Sequence, residues 1–119
     1  GVGFFTKYGD GGVDLSPIAD LMKSEVYAIA KELKIISSIQ DAAPTDGLWA
    51  DGRNDEDQLG ATYNELEWAM KEYKNSKENR FIGRDKEVFD IFKKLHVANQ
   101  HKMKPIPVCM IPQELKKKL

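Results

Sequence analysis

Only one cysteine, Cys109, occurs in the 119 residues, so no internal disulfide can form. That absence fits a reducing compartment, and the cytoplasm is the expected location. No apolar run approaches the ~20 residues a membrane-spanning helix needs. The amino end also lacks the basic start and apolar stretch of a secretory signal, so no membrane partner is expected. Charge of one sign is missing too. Eighteen Lys and Arg against nineteen Asp and Glu leave a formal charge of −1, with no excess positive field to hold a polyanion by counterion release. Nucleic acid is therefore not an expected partner. Internal repeats and low-complexity tracts are absent, as are the G-x-x-x-x-G-K phosphate loop and the G-x-G-x-x-G dinucleotide fingerprint. No Ser-His-Asp or Cys-His pair can be argued from spacing, and no catalytic residue is assigned.

What is present describes one folded domain. Hydrophobic residues make up 41% and charged residues 31%, the profile of a globular chain whose size suits a single hydrophobic core. The opening Gly1-Val2-Gly3-Phe4-Phe5 reads as a text begun mid-sentence. Residues 3 to 6 suit the tail of a strand running into a glycine-rich loop, Lys7 to Asp14. Glycines at 9, 11 and 12 let a ligand approach the main chain closely. Ser16 and Pro17 read as an N-cap and first helical turn, followed by an apolar stripe of Leu21, Met22, Val26, Ile29, Ala30 and Leu33 that leaves Lys23 off the buried line.

Residues 41 to 61 are rich in turn formers and acids, which predicts a long ordered loop holding about one helical turn. Thr62 to Glu65 matches a capping box. Tyr63, Leu66, Met70 and Tyr73 then share a helical face, and residues 74 to 80 form a solvated connection. Val88, Phe89, Phe92 and Leu95 predict a helix over residues 84 to 97. Pro105 and Pro107 push the last segment into an extended path, and Lys116 to Lys118 form a solvated end. The expectation is thus a predominantly α-helical chain with at most one or two short strands. A lone strand has no partner, so the parent fold would be α/β, its sheet supplied by sequence before residue 1.

Taken singly, the polar residues have ordinary readings. Lys7 and Asp14 bracket the glycine loop, where a lysine can serve a phosphate as a point charge and an aspartate can accept from ribose hydroxyls. Lys23, placed one and a half turns into the first helix, reads alone as a solvated lysine, and Thr45 after Pro44 as a turn residue. Asn99 to Lys102 reads as a polar helix end, and His96 as packing. Asp51, Asp55, Glu56 and Asp57 lack the glycine and terminal glutamate of a calcium loop and read as a solvated acidic loop.

Together they resemble something more specific. Gly3 to Asp14, Pro17 to Lys23, Ala43 to Trp49, Asp55 to Tyr63 and Asn99 to Lys102, in that order, resemble the carboxy-terminal part of ammonia-dependent NAD synthetases. The resemblance implies a parallel sheet flanked by helices, as in other ATP pyrophosphatases of the adenine nucleotide alpha hydrolase-like class, working as a homodimer. It implies ATP-dependent amidation of deamido-NAD by ammonia, with Mg2+, giving NAD, AMP and pyrophosphate. Carried over by position, Lys7, Asp14, His101 and Lys102 would contact deamido-NAD, while Lys23 and Thr45 would contact ATP. No metal ligand is assigned, since those for Mg2+ are expected outside residues 1–119. Asp46-Gly47 departs from the small residues usual after Thr45, and residues 71 to 84 look longer or more polar than usual. The S-G-G-x-D-S phosphate loop of that family does not occur, so residues 1–119 are read as the C-terminal part of one synthetase domain, inactive alone. Two alternatives stay open: the synthetase portion of a glutamine-dependent enzyme, and a non-catalytic nucleotide-binding or dimerisation module.

Overall fold

The computed structural model describes residues 1–9, 11–45, 54–75 and 80–117. Among these the chain is helical, with seven segments and no strand: α1 Lys23–Glu32, α2 Ser37–Gln40, α3 Asp55–Leu59, α4 Tyr63–Lys74, α5 Gly83–Ala98, α6 Gln100–Met103 and α7 Gln113–Lys116. Leu48, Trp49 and Asp51, with the Asp46-Gly47 departure and most of the 74–80 connection, lie outside the described residues.

The core is an αα-hairpin of α4 and α5. Its buried members are Leu59, Ala61, Leu66, Ala69, Val88, Phe89 and Phe92. The predicted stripes of both helices supply most of them, and Ala69 adds a small, fully buried residue of α4. Half-buried aromatics close the sides: Trp68 meets Phe81 edge-on at 5.0 Å, and Tyr73 packs against Phe89, Phe92 and the His96 ring. Such pairs add to the area they bury. The capping box at α4 is formed as read: Thr62 Oγ1 accepts from Glu65 N at 3.2 Å, and Glu65 Oε2 accepts from Thr62 N at 2.8 Å.

Arg84 ties the beginnings of α4 and α5 together. It donates through Nε and Nη2 to the two Glu65 oxygens at 2.8 and 3.0 Å, through Nη1 to Glu87 at 3.0 Å, and through Nη2 to the Gly60 carbonyl at 3.2 Å. The Arg84 guanidinium first, and the Thr62 N–H second, hold the Glu65 carboxyl down to about 2 from its ordinary 4.5. A depressed carboxyl contributes stability above its unfolded value and loses it as pH falls through the folded one. Wild-type stability should therefore fall between pH 4.5 and about 2, and Glu65→Gln should flatten that slope. Because the pair is largely exposed, the difference should shrink in high salt. Urea titrations across this pH range check both statements.

Two sequence expectations are corrected. Residues 3 to 6 are not a strand. The carbonyls of Gly1, Val2 and Gly3 accept from His96 Nδ1 (2.9 Å), Asn99 Nδ2 (2.9 Å) and Lys102 Nζ (3.1 Å), side chains three residues apart along α5 and α6. With the Gln100 amide donating to His96 Nε2 at 2.8 Å, Nδ1 carries the ring proton. Gly3 has φ +68°, and a Cβ there would lie 2.5 Å from Asn99 Cβ, so glycine permits both the backbone turn and the close approach.

The first helix also starts later than Ser16. Residues 16 to 21 make only three-residue turns, Ala19 N to Ser16 O at 3.2 Å and Leu21 N to Ile18 O at 3.1 Å. Met22 is extended, and its N–H donates to Glu25 Oε2 at 2.7 Å, opening α1 at Lys23. Of the stripe, Val26 and Ala30 are half-buried, Ile29 and Leu33 are exposed, and no residue of α1 is buried. The predicted turn in the acidic segment is α3, and residues 105 to 112 carry no helix, as Pro105 and Pro107 require. The short α7, which reaches Lys116, was not foreseen. No helix of the described residues is long and apolar enough to cross a membrane.

Candidate functional site

Lys23 is the first residue of α1, not one and a half turns inside it, and it is half-buried. Its position is set by a clamp from α4. Glu67 accepts from Ser24 N at 2.9 Å and from Ser24 Oγ at 2.6 Å. One turn earlier on α4, Tyr63 places its ring under the Lys23 ammonium, 5.3 Å from Nζ to the ring centroid. Tyr27, one turn further along α1, supplies a second ring at 5.7 Å. Residues i and i+4 of α4 thus grip two consecutive residues of α1, and two aromatic faces attract the ammonium.

Tyr63 is itself fixed by the acidic segment. Its hydroxyl donates to Asp55 Oδ2 at 2.7 Å and its N–H donates to Glu56 Oε1 at 2.7 Å. Burial, then the bond and charge of Asp55, push the Tyr63 hydroxyl well above the usual phenol range, so it remains a donor. Asp57 caps α3 reciprocally with Asn54. These three acids are engaged in holding α3 and Tyr63. Among the described residues no group of three or more His, Cys, Asp or Glu is placed to hold a metal ion.

Two cavities meet at Lys23. One, of about 440 Å³, has Leu66, Met70 and Phe92 along its apolar side and Asp20, Glu67 and Lys74 among its polar residues. The other, of about 320 Å³, runs between α1 and α2 to Ala43 and Pro44. Thr45 follows directly and is exposed. Asp55 N donates to Pro44 O at 2.8 Å, drawing the start of α3 to the residue before Thr45. The segment that holds Tyr63 therefore also holds the stem of Thr45.

A second group forms around Phe5. Lys102 Nζ lies 5.8 Å from the Phe5 ring centroid while donating to Gly3 O. The glycine turn covers the same ring: a Cβ on Gly11 would stand 3.1 Å from Phe5 Cε2 and 2.5 Å from Lys7 O. The turn is closed by Gly9 N and Gly11 N donating to Thr6 O and by Gly12 N donating to Gly9 O. Lys7, inside it, lies 5.3 Å over the Tyr8 ring. The Lys102 ammonium and the glycine turn thus share the Phe5 ring, while the Lys7 ammonium lies on Tyr8. Asp14 and His101 are exposed and take no part in these contacts. His96 packs, as read, stacked on Phe92 at 5.5 Å.

Sequence reading singled out the lysines but not what holds them. Tyr27, Glu67 and Phe5 were not singled out, and Tyr63 was read only as a stripe residue. The four-residue spacing of Lys23 and Tyr27 was the available signal. Asp55 and Glu56 were noticed as acids, and their partner lies seven or eight residues downstream.

Three lysine ammonium groups thus lie on aromatic faces, and that of Lys23 borders two cavities. A family model described as NAD synthase matches residues 1–106, and the chain belongs to that family. It is 41% identical over 115 residues to the NH(3)-dependent NAD(+) synthetase of Syntrophomonas wolfei, covering 97% of this chain and 42% of that protein. It is 40% identical over 115 residues to the protein of the same name from Picrophilus torridus, covering 97% and 44%. With that of Methanococcoides burtonii the identity is 53% over 66 residues, 56% of this chain and 25% of the relative. The chain spans less than half the length of these curated relatives.

Proposed function

We propose that residues 1–119 are the C-terminal part of an ammonia-dependent NAD synthetase domain, in which a parallel sheet flanked by helices completes the fold and two copies pair. The reaction is amidation of deamido-NAD. A nicotinate carboxylate oxygen attacks the α-phosphorus of ATP, which reaches the enzyme with magnesium, and pyrophosphate leaves. Ammonia then attacks the acyl carbon of the adenylate, AMP departs with that oxygen, and a proton is released. A carboxylate is a poor acceptor for ammonia until it carries such a leaving group. The protein's share is positioning and charge stabilisation.

In this reading Lys7, Asp14, His101 and Lys102 contact deamido-NAD, and Lys23 and Thr45 contact ATP. One observation carries it: the glycine turn that contains Lys7 and the Lys102 ammonium, from opposite ends of the chain, both stand against the Phe5 ring, as groups serving one dinucleotide should. Gly9-Asp10-Gly11-Gly12 and the names of the relatives favour free ammonia over glutamine.

Calorimetric titration of the chain with deamido-NAD and with ATP tests the assignment. Asp14→Ala, at an exposed position, should weaken deamido-NAD at least about tenfold, a loss of ~1.4 kcal/mol, and leave ATP unchanged. Lys23→Ala should do the reverse. Equal binding by wild type and both variants, or no binding of either nucleotide, overturns it.

A further inference from the structure

We propose that Tyr27 and Tyr63 are positioning residues that hold the Lys23 ammonium at the meeting point of the two cavities for an ATP phosphate, with Asp55 and Glu56 fixing Tyr63. This rests on the reading that Lys23 meets ATP. It gives the acidic segment a role that its composition did not reveal.

The geometry is specific. Lys23 Nζ lies 5.7 Å from one ring centroid and 5.3 Å from the other. Tyr63 is fixed at both ends, by its main-chain N–H on Glu56 and its hydroxyl on Asp55. Ser24, the next residue, is held twice by Glu67, so the backbone of Lys23 is as constrained as its tip. A free lysine has many rotamers, and ordering them counts against binding. Here the ordering is done before the ligand arrives. An aromatic face restrains an ammonium without a counter-charge, so at these contacts an arriving phosphate need not displace a carboxylate. Lys23 also lines both the 440 Å³ and the 320 Å³ cavities, and the latter leads to Pro44. A phosphate at Lys23 is thereby directed along the cleft toward Thr45.

The test has two readouts on the same chain. In NMR spectra, the Lys23 Hε protons should be displaced upfield by the two rings. Tyr63→Leu and Tyr27→Leu should each remove part of that displacement, and Tyr63→Phe, which keeps the ring, should retain most of it. In ATP titrations, Tyr63→Leu should bind about tenfold more weakly and Tyr27→Leu about threefold, while Tyr63→Phe stays within about threefold of wild type. Tyr27 is exposed at 40%, so its variant keeps the test valid should Tyr63→Leu fail to fold by circular dichroism. Lys23 Hε signals at an ordinary exposed position overturn the positioning role whatever ATP does. ATP binding lost in Lys23→Ala but unchanged in both leucine variants overturns the role and leaves the ATP reading standing. ATP binding unchanged in Lys23→Ala overturns the ATP reading itself, and the positioning role with it.

Discussion

Phe92→Ala should lower the free energy of unfolding by about 3–5 kcal/mol, the range for emptying the site of a buried aromatic. Phe92 is 1% exposed. It touches Tyr73 and stacks on His96, with ring centroids 5.6 and 5.5 Å apart, and it also borders the 440 Å³ cavity. That cavity offers no atoms to move into the space, so the loss should fall toward the upper end. Against a typical total of about 5–15 kcal/mol for a domain, it would leave the α4–α5 hairpin marginal. Urea unfolding followed by circular dichroism measures the change. Leu33→Ala is the control, because Leu33 is 68% exposed, and it should shift stability by under about 0.5 kcal/mol. A Leu33→Ala loss as large as that of Phe92→Ala would mean that the apolar line of α1 is covered in solution.

That control bears on what the sequence could disclose. Helices α4 and α5 were legible because their apolar spacing is paired with local signals: the Thr62 capping box and the proline-marked stretch after α6. Both helices also find each other across a short connection, so period and tertiary partner agree. Helix α1 has an equally regular stripe, yet Ile29 and Leu33 are exposed. Periodicity reports which face is apolar and says nothing of what packs on it. The strand reading of residues 3 to 6 failed for a related reason. Its aromatic composition was strand-like, but the Gly1, Val2 and Gly3 carbonyls are taken by side chains from the far end of the sequence. No local pattern encodes that pairing.

The candidate site divides in the same way. Lys7, Lys23, Thr45 and Lys102 were reached through ordered blocks of family resemblance, and residue type alone left each of them with an ordinary surface reading. The groups that orient them escaped notice because their chemistry is indirect. Tyr27 and Tyr63 are tyrosines on helices, and Glu67 is one glutamate among many. Each acquires a role only when α1 is laid across α4, a crossing that depends on contacts 43 residues apart in the chain.

The glycine turn yields the sharpest functional prediction. Gly11→Ala should weaken deamido-NAD binding at least about tenfold, or ~1.4 kcal/mol, with little change in unfolding. The cause is steric. An alanine Cβ at 11 would stand 2.5 Å from the Lys7 carbonyl oxygen, and one at 12 would stand 2.6 Å from that of Tyr8. Both obstacles are main-chain atoms, so the turn itself must open, and opening it shifts Lys7 and lifts Gly11 from the Phe5 ring against which Lys102 also stands. At Gly9 the nearest obstacle is the Thr6 methyl at 3.1 Å, a side-chain atom that can yield, so Gly9→Ala should be several-fold milder than Gly11→Ala or Gly12→Ala. Because the turn is exposed and apart from the buried cluster, melting curves of all three variants should nearly overlay the wild type. Calorimetry with deamido-NAD supplies the ranking. Equal affinity across the three would show that the turn does not shape the binding surface, whereas a graded loss in the order set by the carbonyl contacts would tie the position of Lys7 to dinucleotide recognition.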